Sequence, residues 1–248
     1  MLLAQATGWD RAQLAAGPDA RLPVGASREF GEMVRRRVRR EPVAYIVGRK
    51  GFRRIELVVD RRVLVPRPET ELLVEAAVEL APATVLDVGT GSGAIALAVA
   101  DELPESRVTA IDTSLDAVKV AEVNAERLGL RSQVDVVSAG IGDLAQLAPI
   151  DLVVANLPYV AQEEWEELQP EIRDHEPREA LVPGPTGYEA IEALIENVAA
   201  LAKRPTALVL EIGADQGEVV ERLVREAGYG DVEVRPDLAG HDRAVIGR

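Results

Sequence analysis

The chain has no cysteine, which excludes disulfides, thiol nucleophiles and Cys-ligated zinc together. Histidine is almost as scarce: only His175 and His241 offer imidazole, so no metal site is expected. Aromatic residues make up 3% of the sequence against 47% hydrophobic residues in all, so the core must be aliphatic. No apolar run approaches the roughly 20 residues that span a bilayer. Residues 1–10 lack a basic start and a long apolar stretch, so no signal peptide is read and a cytoplasmic protein is expected. A net charge of −14 argues against broad nucleic-acid binding, which needs cationic surface to neutralise phosphates. The acidity is uneven, however. Arg35, Arg36, Arg37, Arg39 and Arg40 crowd one stretch, and Arg49, Lys50, Arg53, Arg54, Arg61 and Arg62 follow. Either a basic N-terminal face or a solvated helix face explains such a run.

What is present has a clear order. Residues 1–40 carry helical signals interrupted by Gly17-Pro18 and Pro23, and imply a short helical domain. Residues 43–65 alternate more, and the Asp60-Arg61-Arg62 break between apolar runs points to a β-hairpin linker. Pro66-Arg67-Pro68 stops it, and Glu69-Thr70-Glu71 opens a helix through Leu80. From there strand and helix alternate, the pattern of a parallel sheet. Strands are predicted at 84–88, 107–111, 133–137, 151–155, 206–211, 231–235 and 243–247. Helices are predicted near 93–102, 114–128, 187–202 and 215–227. The link between the last two strands is too short for a crossover helix, so the final strand must run antiparallel. The expected α/β fold is therefore a seven-stranded, mostly parallel sheet with its last strand reversed. The boundaries read are a helical domain over 1–50, a hairpin linker over 51–68 and a catalytic domain over 69–248.

Two loops carry the chemistry. Thr84 to Val88 reads as a buried strand running into Gly89-Thr90-Gly91-Ser92-Gly93, and a helix opens at Ala94. Glycines there let the backbone lie against a ligand, with amide N–H groups expected to point into the gap. Asp112, at the end of the next strand, stands where a ribose-binding acid belongs. These features fit either a dinucleotide or S-adenosylmethionine. Asp87 separates the two, because a carboxylate two residues before the first glycine would repel a pyrophosphate and suits a cationic ligand. The reversed last strand also favours methyl transfer. The second loop, Asn156-Leu157-Pro158-Tyr159, ends another apolar strand, at the sheet edge where open α/β folds bind ligands.

The run Val85-Leu86-Asp87-Val88-Gly89-Thr90-Gly91-Ser92-Gly93 resembles motif I of class I, Rossmann-like methyltransferases. Further matches narrow the resemblance: residues 40–48, Pro66-Arg67-Pro68-Glu69-Thr70-Glu71, Glu176-Pro177 with Ala180-Leu181, and Asp237 to Arg243. Together they are similar to the PrmC/HemK family, protein-(glutamine-N5) methyltransferases that modify peptide chain release factors. The resemblance covers roughly residues 35–248, and the N-terminal domain is shorter than that family's usual one.

The resemblance implies S-adenosylmethionine as cofactor, held by Asp87, Gly89, Thr90, Gly91, Ser92, Gly93, Asp112, Ile141 and Asn156. It implies a release-factor glutamine as substrate, held by Asn156, Leu157, Pro158 and Tyr159 with Arg67 and Glu69 nearby. In an Asn-Pro-Pro-Tyr motif, the Asn side-chain oxygen takes one amide hydrogen and the next backbone carbonyl takes the other. This orients a poor nucleophile without an ionised base. The chain departs from the pattern twice. Leu157 replaces the first proline and with it a fixed φ. Gly140 stands where an acid holding adenine is usual, with Asp143 a possible substitute. Glu211 matches a family position with no role assigned. Trp165 reads as a lid residue or a helix's apolar anchor. A monomer is expected, with the partner docking partly on the basic N-terminal domain. An N-methyltransferase acting on an exocyclic amine of nucleic acid, and a degenerate non-catalytic relative, are the alternatives.

Overall fold

A computed structural model of the chain describes residues 1–17, 21–147 and 149–248, with nothing described of the Arg11 side chain; Pro18, expected to interrupt the first helices, lies outside them. Four helices come first: α1 (Leu2–Thr7), α2 (Arg11–Ala16), α3 (Ala26–Val38) and α4 (Val43–Val47). A small hairpin follows, β1 (Arg49–Phe52) with β2 (Ile55–Val58). Two differences from the sequence reading appear here. Tyr45-Ile46-Val47 is helical, because Pro42 precedes the helix and Gly48 ends it at φ 76°. The hairpin turns at Arg53-Arg54, with Arg53 at φ 49°, and not at Asp60 to Arg62. Val63 and Val65 are buried in an irregular stretch outside any strand.

A 3-10 turn over Pro68–Thr70 leads into α5 (Glu71–Leu80). The alternating part is β3 (Thr84–Val88), α6 (Ala94–Glu102), β4 (Arg107–Asp112), α7 (Leu115–Arg127), β5 (Val134–Ser138) and β6 (Leu152–Ala155). After a 3-10 turn (Gln162–Glu167) and a short α8 (Pro170–Arg173) come α9 (Glu189–Ala199), β7 (Ala207–Glu211), α10 (Gly217–Glu226), β8 (Val232–Pro236) and β9 (Asp242–Gly247). The seven strands stand in the order β5-β4-β3-β6-β7-β9-β8. All pairs from β5 to β7 are parallel, and β9 is antiparallel to both neighbours. The seven predicted strands are those observed to within a residue or two. The reversed strand is inserted between β7 and β8, so β8 forms the edge.

The core has two layers, one on each sheet face. One packs Leu73, Val74, Leu97 and Val99 from α5 and α6 with the hairpin residues Phe52 and Leu57. The other packs Ile191, Leu194 and Val198 of α9 with Val220 and Val224 of α10. β6 and β7 are buried along their whole length, as parallel strands covered on both faces must be.

The register between β3 and β6 decides where the loops meet. Val88 pairs with Ala155, so the residues that follow, Gly89 and Asn156, leave the sheet side by side. Asn124 of α7 ties the hairpin to the same place. Buried at 1% exposure, it accepts from the Val58 amide at 2.7 Å and donates to the carbonyls of Val58 (3.0 Å) and Ser92 (2.9 Å). The N-terminal helices are held by charge: Arg37 and Arg40 both reach the carboxylate of Glu171 on α8, at 2.6 and 2.8 Å. With Arg35 on Glu32 and Arg36 on Glu41 as well, four arginines of the basic run are engaged within the molecule. No helix among the described residues is long and apolar enough to cross a membrane. Asn124→Ala leaves three backbone groups without partners and is expected to lower unfolding stability by about 2–4 kcal/mol in denaturant titration.

Candidate active site

Gly89 has φ 73°, and a Cβ built there would lie 3.0 Å from Leu157 Cδ2 and 3.8 Å from the Asn156 carbonyl oxygen. The glycine turn and the Asn156 loop therefore pack against each other, and only glycine permits it. Together they wall a cavity of about 250 Å³ at the carboxyl ends of β3, β4 and β6. Gly89, Gly91, Asp112, Ile141, Asn156, Leu157 and Pro158, each singled out in the sequence, all line it.

The amides of the turn are largely spent. Those of Gly89 and Thr90 both donate to the Ile111 carbonyl at 2.9 Å, and that of Gly93 donates to Thr90. The Gly91 amide donates to Asp112 Oδ2 at 2.9 Å. These four N–H groups do not point into the cavity, contrary to expectation; the turn offers a surface without Cβ atoms rather than a row of donors. Asp87 likewise stands behind the turn and not in the cavity. It is fully buried and accepts from Thr90 Oγ1 (2.6 Å) and from the Ala96 amide in the first turn of α6 (3.1 Å), while its Oδ1 has no partner. Burial pushes its pKa up to about 7 against those two hydrogen bonds. A carboxylate thus occupies the helix N-terminus that a pyrophosphate would need.

Thr90, Ser92 and Gly93 are buried in the turn and do not line the cavity either. Thr90 bonds Asp87, the Ser92 carbonyl accepts from Asn124, and Gly93 (φ 83°) lies where a Cβ would come within 2.8 Å of Leu97. Together with Asp87, these three act by shaping the loop. Asp112 is different. Its Oδ2 holds Gly91 and its Oδ1 takes the Ser114 amide at 2.8 Å, which leaves lone pairs on both oxygens for a ligand's hydroxyls. Ile141 adds an apolar wall with Val88 and Ala139. Asp143 does not fill the place of the missing acid at 140. Its carboxylate accepts from the Gly140 amide at 2.8 Å and caps a 3-10 turn. A carboxylate facing the cavity, an apolar cleft and no free phosphate cradle on the glycine turn match a nucleoside with a cationic tail better than a dinucleotide.

Leu157, which replaces a proline, is 6% exposed and belongs to the core layer under α9. Packing against Gly89 gives the loop the anchorage that a fixed φ would have supplied. Beyond it, the Tyr159 carbonyl accepts from Gln216 at 3.2 Å, and the Val160 amide donates to Leu181 at 2.9 Å. Asn156 donates from Nδ2 to Thr70 Oγ1 at 3.0 Å. No described residue donates to Asn156 Oδ1 or to the Leu157 carbonyl. Two acceptors are therefore left unengaged on the loop.

Two family models match. One described as PrmC N-terminal domain covers residues 1–48, and one described as Methyltransferase domain covers residues 85–175. A release factor glutamine methyltransferase of Caulobacter vibrioides is 39% identical over 255 residues, spanning 100% of this chain and 87% of the relative. The enzyme of that description in Cereibacter sphaeroides is 41% identical over 249 residues, spanning 100% of this chain and 88% of its own. The chain belongs to the release factor glutamine methyltransferase family. Among solved structures, the hMettl16 catalytic domain with MAT2A 3′UTR hairpin 6 superposes with a TM-score of 0.62 at 17% identity, over 77% of this chain and 75% of that one. This likeness shows the methyltransferase fold.

Within this family member, the remaining expected residues lie apart from the cavity. Arg67 turns away from it and pairs with buried Glu176 at 2.6 Å, while Glu176 also accepts from the Val65 amide. Arg67 lines a larger groove of about 970 Å³ between the N-terminal helices and the catalytic body, with Arg37, Arg49, Lys50 and Glu171. Glu69 is exposed and lines neither space. Tyr159 sits beside the cavity wall with its hydroxyl 3.4 Å from Glu211 Oε1. Trp165 lies in a 3-10 turn with the Arg178 guanidinium 5.3 Å from its ring centre.

Sequence reasoning missed Thr70 and left Glu211 without a role. Thr70 begins a helix and reads as a cap, yet its side chain makes no cap bond and donates instead to Glu211 Oε2 at 2.6 Å. Glu211 is 2% exposed, and burial pushes its pKa up to about 7 despite the Thr70 bond and nearby Arg243. Since the folded value lies above the ordinary 4.5, the protonated form favours folding, and that stability is lost as pH rises through about 7. Glu211→Gln is therefore expected to be more stable than the native protein at pH 8, by roughly 1–3 kcal/mol, and to lose the advantage near pH 5, in denaturant titrations at both values.

Proposed function

We propose that the protein transfers a methyl group to the side-chain amide nitrogen of a glutamine in a peptide chain release factor, through the acceptor pair Asn156 Oδ1 and Leu157 O. S-adenosylmethionine is the methyl donor and supplies the electrophilic carbon. Asp112 and the apolar wall around Ile141 would hold its nucleoside, and the glycine turn would let it lie close to Asn156.

The carrying observation is that Asn156 shares one cavity with Gly89 and Gly91 while its Nδ2 is tied to Thr70. The free end of the carboxamide is then an acceptor, and the Leu157 carbonyl is a second one beside it. Two acceptors suit a group with two N–H bonds in one plane. Holding both hydrogens aims the nitrogen lone pair at the methyl carbon and stabilises the positive charge that grows as the new bond forms. As the N–C bond forms the S–CH3 bond breaks and S-adenosylhomocysteine leaves; the N–H proton, made acidic by methylation, passes to solvent, so no ionised base is required at the nitrogen. The carboxyl group behind the loop, Glu211, is separated from the cavity by Thr70. Tyr159 would pack along the amide plane, where burial keeps its hydroxyl protonated.

The release factor would dock in the groove lined by Arg49, Lys50 and Arg67, with residues 1–50 as the partner-binding domain and 69–248 as the catalytic domain. The protein would work as a monomer in the cytoplasm. Removing the acceptor in Asn156→Ala is expected to reduce transfer to a recombinant release factor by at least about 10²-fold. Calorimetry should show S-adenosylmethionine binding within about threefold of the native protein, since the interaction lost is one made in the transition state. Full turnover by that variant would exclude the mechanism.

A further inference from the structure

Resting on the reading that Asn156 grips the substrate amide, we infer that Thr70 and Glu211 are positioning residues whose hydrogen-bond chain fixes which end of the Asn156 carboxamide faces the cavity. The two ends of a carboxamide are nearly equal in shape and opposite in chemistry. Turned by 180°, Asn156 would offer the substrate two N–H donors where acceptors are needed, and the grip would become a repulsion. Something must hold one orientation.

Proton counting identifies it. An ionised Glu211 has no proton and can only accept. Thr70 has one hydroxyl proton, and at 2.6 Å it is given to Glu211 Oε2. Having donated, Thr70 Oγ1 can only accept along the remaining contact, so the group facing it at 3.0 Å must be a donor. Nδ2 is therefore held against Thr70, and Oδ1 is left toward the cavity. The chain has one polarity as long as the carboxyl group is ionised. Once protonated, Glu211 can donate to Thr70, the hydroxyl proton is released, and the flipped amide becomes allowed.

The geometry suits a fixed device. Thr70 (4% exposed) and Glu211 (2% exposed) are shut off from water, so no solvent molecule substitutes for either. Thr70 starts α5 and Glu211 ends β7, both rigid elements flanking the Asn156 loop. The titratable and charged groups facing Glu211 are Tyr159 from the loop after β6, Arg243 from β9 and Glu69 from the 3-10 turn. Tyr159 donates, Arg243 favours the ionised form, and Glu69 opposes it. Burial places the titration near 7, so orientation control is expected to weaken in mild acid.

The test compares Thr70→Val, which keeps shape and removes the hydroxyl, with Thr70→Ser, which keeps the hydroxyl. At saturating cofactor, kcat for a release factor should fall about 10–100-fold in Thr70→Val, with S-adenosylmethionine affinity within about threefold and Thr70→Ser recovering most of the loss. Native kcat should also fall as pH drops below about 7, and Glu211→Gln should be slow without that limb. Asp87 titrates in the same range, so a limb that persists in Glu211→Gln belongs to Asp87 and overturns the assignment to Glu211. A Thr70→Val enzyme within about threefold of native, or a Thr70→Ser enzyme equally damaged, overturns the inference and leaves the proposed function standing. Should Thr70→Val not fold, the native pH profile decides, and a flat kcat between pH 6 and 8 overturns it. A native protein that methylates no release-factor glutamine overturns both.

Discussion

The pairing of β3 with β6 is the constraint on which the site depends. Parallel neighbours end at the same sheet edge, and the register Val88 with Ala155 delivers Gly89 and Asn156 to adjacent positions. A shift by one residue would turn the asparagine to the other face. Everything else about the site refines that contact. The missing Cβ at Gly89 admits Leu157, Leu157 anchors the loop in the core, and Asp87 draws the turn onto the first amides of α6. The N-terminal helices and the hairpin are secured from outside, through Glu171 and Asn124.

Two buried carboxyl groups flank this contact, and neither touches the cavity. Asp87 and Glu211 sit at the ends of β3 and β7, one with an unpartnered oxygen, and burial raises both toward neutrality. A protein selected for stability alone would not place them there. Each controls backbone or side-chain geometry next to reacting groups, where fixed dipoles are worth more than the folding free energy they cost. The glycine turn has few free amides for a separate reason: Ile111, Thr90 and Asp112 accept them, and those bonds set its shape.

Much of this was legible in the sequence, for identifiable reasons. Buried parallel strands are continuous apolar runs with sharp ends, so β3, β6 and β7 could be placed closely, and the short link before Asp242 fixed the sense of β9. The hairpin was harder. Tyr45-Ile46-Val47 has strand-like composition, and only Pro42 and Gly48 make it a helix; Arg53 turns the chain at a positive φ that no turn residue announces. In the site, Gly89, Gly91, Asp112, Ile141 and Asn156 to Pro158 were found because their chemistry is exposed in the motifs, whereas Arg62 and Glu179, which also line the cavity, stand in no site motif. Asp87, Thr90, Ser92 and Gly93 stand one layer back, and composition cannot separate a ligand contact from a loop support. Thr70 was hidden by an ordinary explanation, since threonine before a helix reads as a cap. Its partner lies 141 residues away, beyond any local pattern.

The central claim is a geometric one: Asn156 Oδ1 and the Leu157 carbonyl each accept one hydrogen of an incoming primary amide. A crystal structure of the protein with S-adenosylhomocysteine and a Gly-Gly-Gln peptide tests it most directly. The account predicts the glutamine nitrogen within hydrogen-bond distance, about 2.7–3.2 Å, of both oxygens, with Asn156 Nδ2 still on Thr70. A glutamine amide bound elsewhere, or an Asn156 carboxamide turned to offer Nδ2 to the substrate, would contradict it.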